Sequence, residues 1–318
     1  MPQSTSHLTL RQRLLCPFVR WYARREFPRK GQLLNWFGMN DQARWADAPV
    51  VVARERFHGY QMRLDLSDFF QRIAYFFGCY HEMHVQSVLQ GGLRAGDCFV
   101  DGGANIGLLT LTAAGVVGPT GRVHAFEPNP TALERLRWHV ERNHLCRVVV
   151  HPVGLSDVGE SRTLTVPFKH NLAGGTLGPL PARHAGKAHE RCPVETIRGD
   201  DALGDDDPAR PMLIKLDVEG FEERALTGLR GTIERRRPAI LTEINRERLA
   251  VNGSSPIALH DLLSQRGYVP FALDRHGWRG GHRLVVRPIA REEVRAQPDV
   301  LWLTRDGPHW ARFEAAMR

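Results

Sequence analysis

This 318-residue sequence contains a glycine-rich turn with the composition of a ligand-binding loop. The turn reads Asp101-Gly102-Gly103-Ala104-Asn105-Ile106-Gly107 and stands between the apolar run Cys98-Phe99-Val100 and a long apolar segment. In doubly wound sheets, ligands bind at such a junction, outside the carboxyl end of a strand. Glycines let the backbone approach a ligand closely, and the start of the following helix offers unpaired N–H groups. We therefore predict a ligand site at this turn.

Two cofactor classes compete for the turn. The spacing Gly102-x-Ala104-x-x-Gly107 is a degraded dinucleotide fingerprint, and Glu127 follows twenty residues after Gly107, where an acid that binds ribose hydroxyls is expected. Asp101 separates the two classes, because its carboxylate would repel the pyrophosphate of a dinucleotide and attract the cationic sulfonium and ammonium groups of S-adenosylmethionine. The sequence therefore predicts S-adenosylmethionine as cofactor, with S-adenosylhomocysteine as product, and disfavours a nicotinamide-dependent oxidoreductase.

A second group of charged residues lies farther along the chain. Lys215, Asp217 and Glu219 alternate along a predicted strand and its end, so their side chains point to one side, and Glu243 ends the next predicted strand. Asp217 should emerge close to the transferred methyl group, where it would position the donor, bind the acceptor or remove a proton; a supporting ion pair with Lys215 is the alternative. Asp217, Glu243 and Asn245 could also hold magnesium, but nothing in their spacing requires it, so we predict no metal site.

The elements that must position these residues alternate between strands and helices. The predicted strands cover residues 98–100, 122–126, 147–150, 212–217, 239–243, 268–272 and 300–303, and the predicted helices cover 105–117, 131–143, 221–229 and 259–265. This alternation predicts an α/β fold with a parallel sheet that helices cover on both faces. Residues 169–210 are rich in Gly, Pro, His and Asp, and we expect them to form a loop over one edge.

Residues 1–90 are predicted to form an extension before the main domain of residues 91–318. Within it, residues 8–27 mix apolar residues and arginines at helical spacing, residues 50–66 suggest two strands that turn at His58-Gly59, and two helices follow up to residue 90. We favour packing of the basic helix on the main domain or on a second subunit, the latter giving a homo-oligomer. Contact with a membrane or a glycolipid is the alternative.

Composition excludes several classes of protein. Hydrophobic residues make up 42% of the chain and charged residues 25%, which fits neither a disordered nor a fibrous protein. The five cysteines are too far apart for a cysteine-based metal site, and no apolar run is long enough to span a membrane. We therefore expect a cytoplasmic protein, in peripheral contact with the cytoplasmic face of the membrane if the basic helix binds lipid.

The net charge of +8 raises the alternative of an RNA methyltransferase. Residues 1–30 contain seven of the Lys and Arg residues and one acid, so the excess is local, and no basic module interleaved with aromatic residues appears. We therefore expect no stable nucleic-acid partner. A protein that binds the donor without reacting is a further alternative, against which Asp217 and Glu219 argue.

Three blocks of the sequence resemble the signature blocks of the FkbM family of S-adenosylmethionine-dependent methyltransferases. They are residues 101–107, the run Phe126-Glu127-Pro128-Asn129-Pro130, and the run from Ile214 to Glu222, of which the third is the most specific. The resemblance implies a class I (Rossmann-like) seven-stranded methyltransferase sheet, mostly parallel with an antiparallel late strand. It also implies methylation of a hydroxyl of a sugar, a glycolipid or a polyketide-type natural product.

The motifs and the resemblance together give a predicted site. The residues predicted to hold the donor are Asp101, Gly103, Ala104, Asn105, Gly107, Glu127, Pro128, Asn129, Asp157 and Asp217. For Asp157 the resemblance implies a contact with adenine, and the alternative is a turn residue that bonds its own backbone. The catalytic candidates are Asp217, Glu219 and His170. The residues predicted to bind the acceptor are Asn171, Thr176 and Glu243.

Overall fold

The computed structural model describes residues 10–25, 29–167, 174–180, 189–204, 207, 209–276 and 283–317 of the chain. Its strands are β1 (Val50–Arg54), β2 (Gln61–Asp65), β3 (Cys98–Gly102), β4 (Arg122–Phe126), β5 (Val148–His151), β6 (Gly154–Ser156), β7 (Ser161–Pro167), β8 (His189–Arg198), β9 (Met212–Leu216), β10 (Ala239–Glu243), β11 (Tyr268–His276), β12 (Arg283–Pro288) and β13 (Asp299–Thr304).

Helices connect and cover these strands. The α-helices are α1 (Leu10–Arg24), α2 (Lys30–Phe37), α3 (Gln42–Trp45), α4 (Phe69–Phe77), α5 (Met83–Gly92), α6 (Leu108–Val117), α7 (Pro130–Arg142), α8 (Gly199–Ala202), α9 (Glu222–Gly228), α10 (Arg230–Arg236), α11 (Arg246–Val251), α12 (Pro256–Ser264) and α13 (Trp310–Glu314). A 3-10 helix covers Arg291–Ala296. In the described part of the chain, no helix combines the length and the apolar character that crossing a membrane requires.

The main sheet has eight strands in the order β12-β11-β13-β10-β9-β3-β4-β5. All neighbours from β10 to β5 are parallel, whereas β13 is antiparallel to both β10 and β11. The predicted α/β class, with a mostly parallel sheet and an antiparallel late strand, is therefore confirmed. The sheet has one strand more than the predicted seven, because β12 pairs with β11 and extends the edge.

The strand order reverses between β3 and β9. From β3 the chain moves outward through β4 to β5, and β9 then pairs with the other side of β3, followed by β10. Asp101 is in register with Lys215, and Gly102 with Leu216, so the carboxyl ends of β3 and β9 meet at one edge. Doubly wound sheets bind their ligands at such a switch point, and the motifs of the sequence lie at it.

Apolar side chains cover both faces of the sheet. One core contains Val100, Ile214 and Trp302, and the other contains Phe99 and Leu213, so successive residues of a strand face opposite cores. Every residue of β3 and β9 is buried, as expected for central strands with helices on both sides. This double burial explains the apolar runs 98–100 and 212–214, and it makes Asp101 and Lys215 buried charged residues within the same strands.

The N-terminal extension contains the predicted hairpin and helix boundaries. β1 and β2 pair in antiparallel register, and the Asp68 side chain caps α4 by accepting a bond from the Gln71 N–H at 3.0 Å. Gly78 ends α4 with a φ of 71°, a conformation that glycine adopts without strain. The prediction of a separate unit ending at residue 90 stays a prediction.

Residues 169–210 are not the continuous loop that we predicted. β8 lies within this range and pairs with β7 in antiparallel register and with β6 in parallel register, forming a three-stranded sheet. The physical reason is that hydrogen bonds to β7 and β6, which are tertiary contacts, hold β8 extended despite its mixed polar and apolar composition. The short helices α2, α3, α10 and α11 were also absent from the prediction, because their few residues give no clear helical periodicity.

Candidate active site

A cavity of about 560 Å³ opens at the carboxyl ends of β3, β4, β9 and β10. This volume lies in the range of small-molecule sites. The β-strand ends contribute most of the predicted donor and acid residues, while the segment before α5, the loop at Gly174 and α11 supply other walls. The two sequence motifs therefore line one cavity.

Backbone contacts explain the glycines of the first turn. Gly103 has a φ of +82°, and a Cβ on it would lie 1.9 Å from the carbonyl oxygen of Asp217. Gly107 has a φ of +86°, and a Cβ there would lie 2.4 Å from Cδ1 of Leu136. Only glycine combines the left-handed backbone with the missing side chain, so the turn can press against β9 and α7.

Asp101 stands at the end of β3, buried inside the cavity wall. Its Oδ2 accepts a hydrogen bond from the Thr110 hydroxyl at 2.6 Å. Burial raises the pKa of Asp101, against the opposing effects of the nearby Lys215 ammonium and of the Thr110 bond. A cation in the cavity would therefore be favoured next to this carboxyl group.

Glu127 follows β4 and holds the turn from the opposite side. Its Oε2 accepts a bond from the Asn105 N–H, and its Oε1 accepts one from the Asn129 N–H, each at 2.7 Å. Burial raises the pKa of Glu127 to about 7, although both backbone bonds act in the other direction. The remaining lone pairs of this buried carboxyl group are available to two neighbouring hydroxyls of a ligand.

Unpartnered polar atoms near this carboxyl group test whether the predicted donor fits. Within the described residues, Oδ1 of Asn105 and Nδ2 of Asn129 are buried without a hydrogen-bond partner, although both residues line the cavity. A buried polar atom without a partner is costly, so a polar ligand that supplies the missing bonds is expected here. The acids, the amide side chains and the glycine turn that line this part of the cavity fit S-adenosylmethionine, which is cationic at its methionine end.

Lys215 and Asp217 form an ion pair at the end of β9. Nζ of Lys215 lies 2.7 Å from Oδ2 of Asp217, and Lys215 is almost wholly buried. Burial would raise the pKa of Asp217, but the Lys215 ammonium holds it below its ordinary value. Burial would likewise lower the pKa of Lys215, but Asp217 and Asp101 raise it. Asp217 is therefore an ionised carboxylate, and the ion pair that was the alternative interpretation is present.

Glu219 also lines the cavity, but its pKa is shifted in the opposite direction from that of Asp217. It has a φ of 57°, unusual for a residue with a side chain, and its Oε2 lies 2.7 Å from Nε of Arg248. Burial and the neighbouring Asp217 raise the pKa of Glu219 to about 8, against the opposing effect of Arg248. A carboxyl group with a pKa near neutrality is suited to accept a proton.

Glu243, at the end of β10, completes the group of acids. Burial raises its pKa well above the ordinary value, and the nearby Asp217 and Glu219 carboxyls add to the rise. The raised pKa favours the protonated form of Glu243, in which it can donate a hydrogen bond to the Asp217 carboxylate. Its Oε2 is buried without a partner among the described residues, which leaves one polar atom for a ligand.

Several lining residues were not predicted from the sequence. Tyr80, His81 and Glu82 precede α5, and Arg248 lies on α11. Burial lowers the pKa of His81 to about 4, so its ring is neutral, and Nη1 of Arg248 is buried without a partner in the described part of the chain. Tyr80, His81 and Glu82 lie in a non-helical segment between α4 and α5, and Arg248 lies on the short helix α11, so neither segment gave a clear pattern in the sequence.

Four other predicted site residues either do not line the cavity or lie outside the described residues. Asp157 pairs with Arg224 at 3.2 Å and is not part of the described cavity lining, so the structure does not bring it to the donor site. The Thr176 hydroxyl donates to the Glu219 carbonyl at 3.2 Å, behind Gly174 and Gly175, which do line the cavity. His170 and Asn171 lie outside the described residues.

One group of potential metal ligands borders the cavity. In the described ranges, Glu82, His84 and Asp299 each place a ligand atom within 4.8 Å of the others. Nε2 of His84 lies 2.7 Å from Oδ2 of Asp299, a hydrogen bond that by itself accounts for their proximity. Asp217 and Glu243, which we considered for magnesium, are held by Lys215 and by each other.

The chain matches solved structures at low identity and low TM-score. The methyltransferase FkbM from Methylobacillus flagellatus KT is 22% identical, with 75% of this chain and 54% of that chain covered and a TM-score of 0.40. M. jannaschii TYW2, solved in complex with AdoMet, is 15% identical, with 81% and 88% covered and a TM-score of 0.37.

A curated relative is the hexuronic acid methyltransferase AglP of Haloferax volcanii. It is 28% identical over 153 residues, which are 48% of this chain and 58% of that protein. The chain thus matches a little over half of the length of this relative.

The family comparison covers most of the residues that line the cavity. The model of the methyltransferase FkbM domain matches residues 101–270, which is more than half of the chain. This range begins at Asp101 and includes Glu127, Asp217, Glu219 and Glu243. The chain therefore belongs to the FkbM methyltransferase family.

Proposed function

We propose that this protein transfers a methyl group from S-adenosylmethionine to a hydroxyl of a sugar, free or within a glycolipid or natural product. The observation that carries the proposal is one cavity lined by two chemically different groups of residues. Asp101 and Glu127 lie beside the glycine turn, while Glu219, Glu243 and Arg248 come from the segments after β9 and at the end of β10 and from α11. The first group suits a cationic nucleoside, and the second group, here called the acceptor end, suits a polyhydroxylated acceptor.

The donor is held by charge and by hydrogen bonds. Asp101 attracts the ammonium group of the methionine part, and the ionised Asp217 stabilises the positive charge at the sulfonium end of the cavity. Glu127 accepts bonds from the two ribose hydroxyls, while Pro128 and Asn129 border the adenosine. When bound, S-adenosylmethionine supplies a methyl group already activated on sulfur.

Glu219 acts as the general base. In-line displacement would need the acceptor oxygen aligned with the methyl carbon and sulfur: the C–O bond would form as the C–S bond breaks, S-adenosylhomocysteine would leave, and the hydroxyl proton would pass to a base. With a pKa raised to about 8, Glu219 accepts that proton more readily than Asp217, whose pKa Lys215 holds low. Arg248 keeps the Glu219 carboxylate in place through the 2.7 Å contact.

The acceptor end supplies both a hydrogen-bond donor and an acid. Nη1 of Arg248 is buried without a partner among the described residues, and Oε2 of Glu243 is likewise unpartnered. A guanidinium group favours a carboxylate or the oxygens of neighbouring hydroxyls. The relative AglP is named a hexuronic acid methyltransferase, which supports a sugar acid as the first acceptor to examine.

Methyl transfer from labelled S-adenosylmethionine to a panel of sugars tests the proposal. The panel pairs each hexuronic acid with the matching neutral hexose, as free sugars and as glycosides, and mass spectrometry locates the added methyl group. We expect an O-methylated sugar, with the acid preferred, and a strong loss of turnover in Glu219→Gln. Transfer to RNA and not to any sugar would contradict the acceptor class.

A further inference from the structure

Helix α1 carries apolar side chains on two opposite faces. Cys16, Val19 and Ala23 are buried in the core that α1 shares with α2 and α4. On the other side, the outer stripe consists of Leu14, Phe18 and Trp21, which are 70%, 53% and 47% exposed. Residues at these spacings lie on one face of a helix, so the stripe is continuous.

Aromatic contacts organise this outer stripe. The rings of Phe18 and Trp21 stack with their centroids 6.1 Å apart, and the Arg25 guanidinium lies 5.1 Å from the centroid of a Trp21 ring. Trp36, on the neighbouring α2, is 59% exposed. Exposed Trp and Phe next to Arg are the composition that settles at the boundary between lipid headgroups and acyl chains.

Charge around the stripe favours an anionic surface. The first 40 residues contain seven Lys and Arg residues, and Glu26 is the only acid among them. Arg25 and Arg29 are exposed. A basic segment of this kind is attracted to membranes that contain anionic lipids, and the attraction weakens as salt screens it.

The size of the stripe argues against a second copy of the chain. The three exposed side chains offer roughly 300–400 Å² of apolar surface, if each large side chain has about 150–250 Å² in total. A stable protein interface needs about 800 Å² on each partner. A narrow apolar stripe with basic neighbours is, in contrast, sufficient for shallow insertion into headgroups.

We propose that α1 is an interfacial anchor, lying in the plane of an anionic phospholipid membrane with its outer stripe among the headgroups. Such an anchor would hold the enzyme at the surface on which lipid-linked acceptors are found. Membrane binding is separable from methyl transfer, because Leu14, Phe18 and Trp21 are not among the described residues that line the cavity.

Sedimentation of the full chain with vesicles tests this anchor. The vesicles contain phosphatidylcholine alone or phosphatidylcholine with phosphatidylglycerol, each at low and high salt. We expect binding to the anionic vesicles, weakened by salt, and a loss of about tenfold or more in the double variant Phe18→Glu/Trp21→Glu. The matched control is Val158→Glu, at an exposed apolar residue of another region, which should bind as the natural chain does.

Two further measurements distinguish a loss of membrane binding from a damaged cavity or a change of oligomeric state. Calorimetric titration of S-adenosylmethionine into each variant shows whether the cavity is intact, and gel filtration reports the oligomeric state. Absence of binding to anionic vesicles, or binding that the double variant retains, would overturn the proposal. A dimer that ignores vesicles and dissociates in the double variant would instead assign the stripe to a second copy of the chain.

Discussion

Replacement of Gly103 by alanine perturbs the point at which the glycine turn touches β9. A Cβ on Gly103 would lie 1.9 Å from the Asp217 carbonyl oxygen, which belongs to the backbone and cannot rotate away. Gly96 provides a matched control, because its φ is +89° but its Cβ would meet nothing nearer than Oγ1 of Thr120 at 3.7 Å. Both substitutions bear the same left-handed backbone penalty of about 1–2 kcal/mol. Only Gly103→Ala adds a collision.

The distance from this Cβ to the Asp217 carbonyl oxygen determines how far the turn must move and how much affinity for the donor is lost. An ordinary contact begins at 3.4 Å, so the turn and the end of β9 must separate by the difference from 1.9 Å, which is 1.5 Å. That separation moves the glycine turn, with Asp101, away from the end of β9. Each interaction with a charged group that the donor loses is worth about 1.5–3 kcal/mol, and about 1.4 kcal/mol is tenfold in Kd. We therefore expect the Kd for S-adenosylmethionine to rise about 100-fold or more in Gly103→Ala.

Calorimetric titration of both variants measures this difference directly. Circular dichroism and thermal unfolding establish that each variant is folded at the temperature of the titration. Gly96→Ala should lose stability by the backbone penalty and keep its affinity for the donor. A folded Gly103→Ala variant that binds the donor within about threefold of the natural chain would refute the role assigned to this contact.

Further predictions concern the acids of the cavity. Asp101→Ala and Glu127→Ala should each abolish measurable binding of S-adenosylmethionine in calorimetry, because hydrogen bonds to charged groups are worth about 1.5–3 kcal/mol each; unchanged affinity in either would contradict the donor assignment. Asp217→Asn should bind the donor but turn over more slowly, measured with saturating donor. At saturating S-adenosylmethionine, kcat should rise with pH and level off above a pH of about 8, since Glu219 accepts protons only in its ionised form. Glu219→Gln should remove this dependence of kcat, and a kcat that keeps the same rise with pH in that variant would assign the base elsewhere.

The central strands and the donor motif were predictable because local and global signals agree in them. β3 and β9 are buried on both faces, so each begins with three consecutive apolar residues, and a charged residue followed by a glycine turn or an acidic run marks each carboxyl end. The same agreement holds at Asp68 and Gly78, where a capping side chain and a left-handed glycine bound α4. In such segments the sequence alone specifies both the element and its end.

The acceptor end was less predictable because tertiary packing assembles it. Arg248 reaches the cavity from the short helix α11, and Tyr80 and His81 reach it from the segment before α5. None of these residues belongs to a spaced motif, and each has an ordinary structural interpretation when considered alone. For Asp157 the family resemblance implied a contact with adenine, whereas the structure pairs Asp157 with Arg224.

Parallel titration of S-adenosylmethionine and NADH into the purified protein tests the central claim most directly. The carboxylate of Asp101 at the end of β3 and the acids around Asp217 favour a cationic ligand and disfavour a pyrophosphate. We predict saturable binding of S-adenosylmethionine and no heat of binding from NADH. Binding of NADH without S-adenosylmethionine would contradict the charge argument at the glycine turn, and the proposed methyl transfer with it.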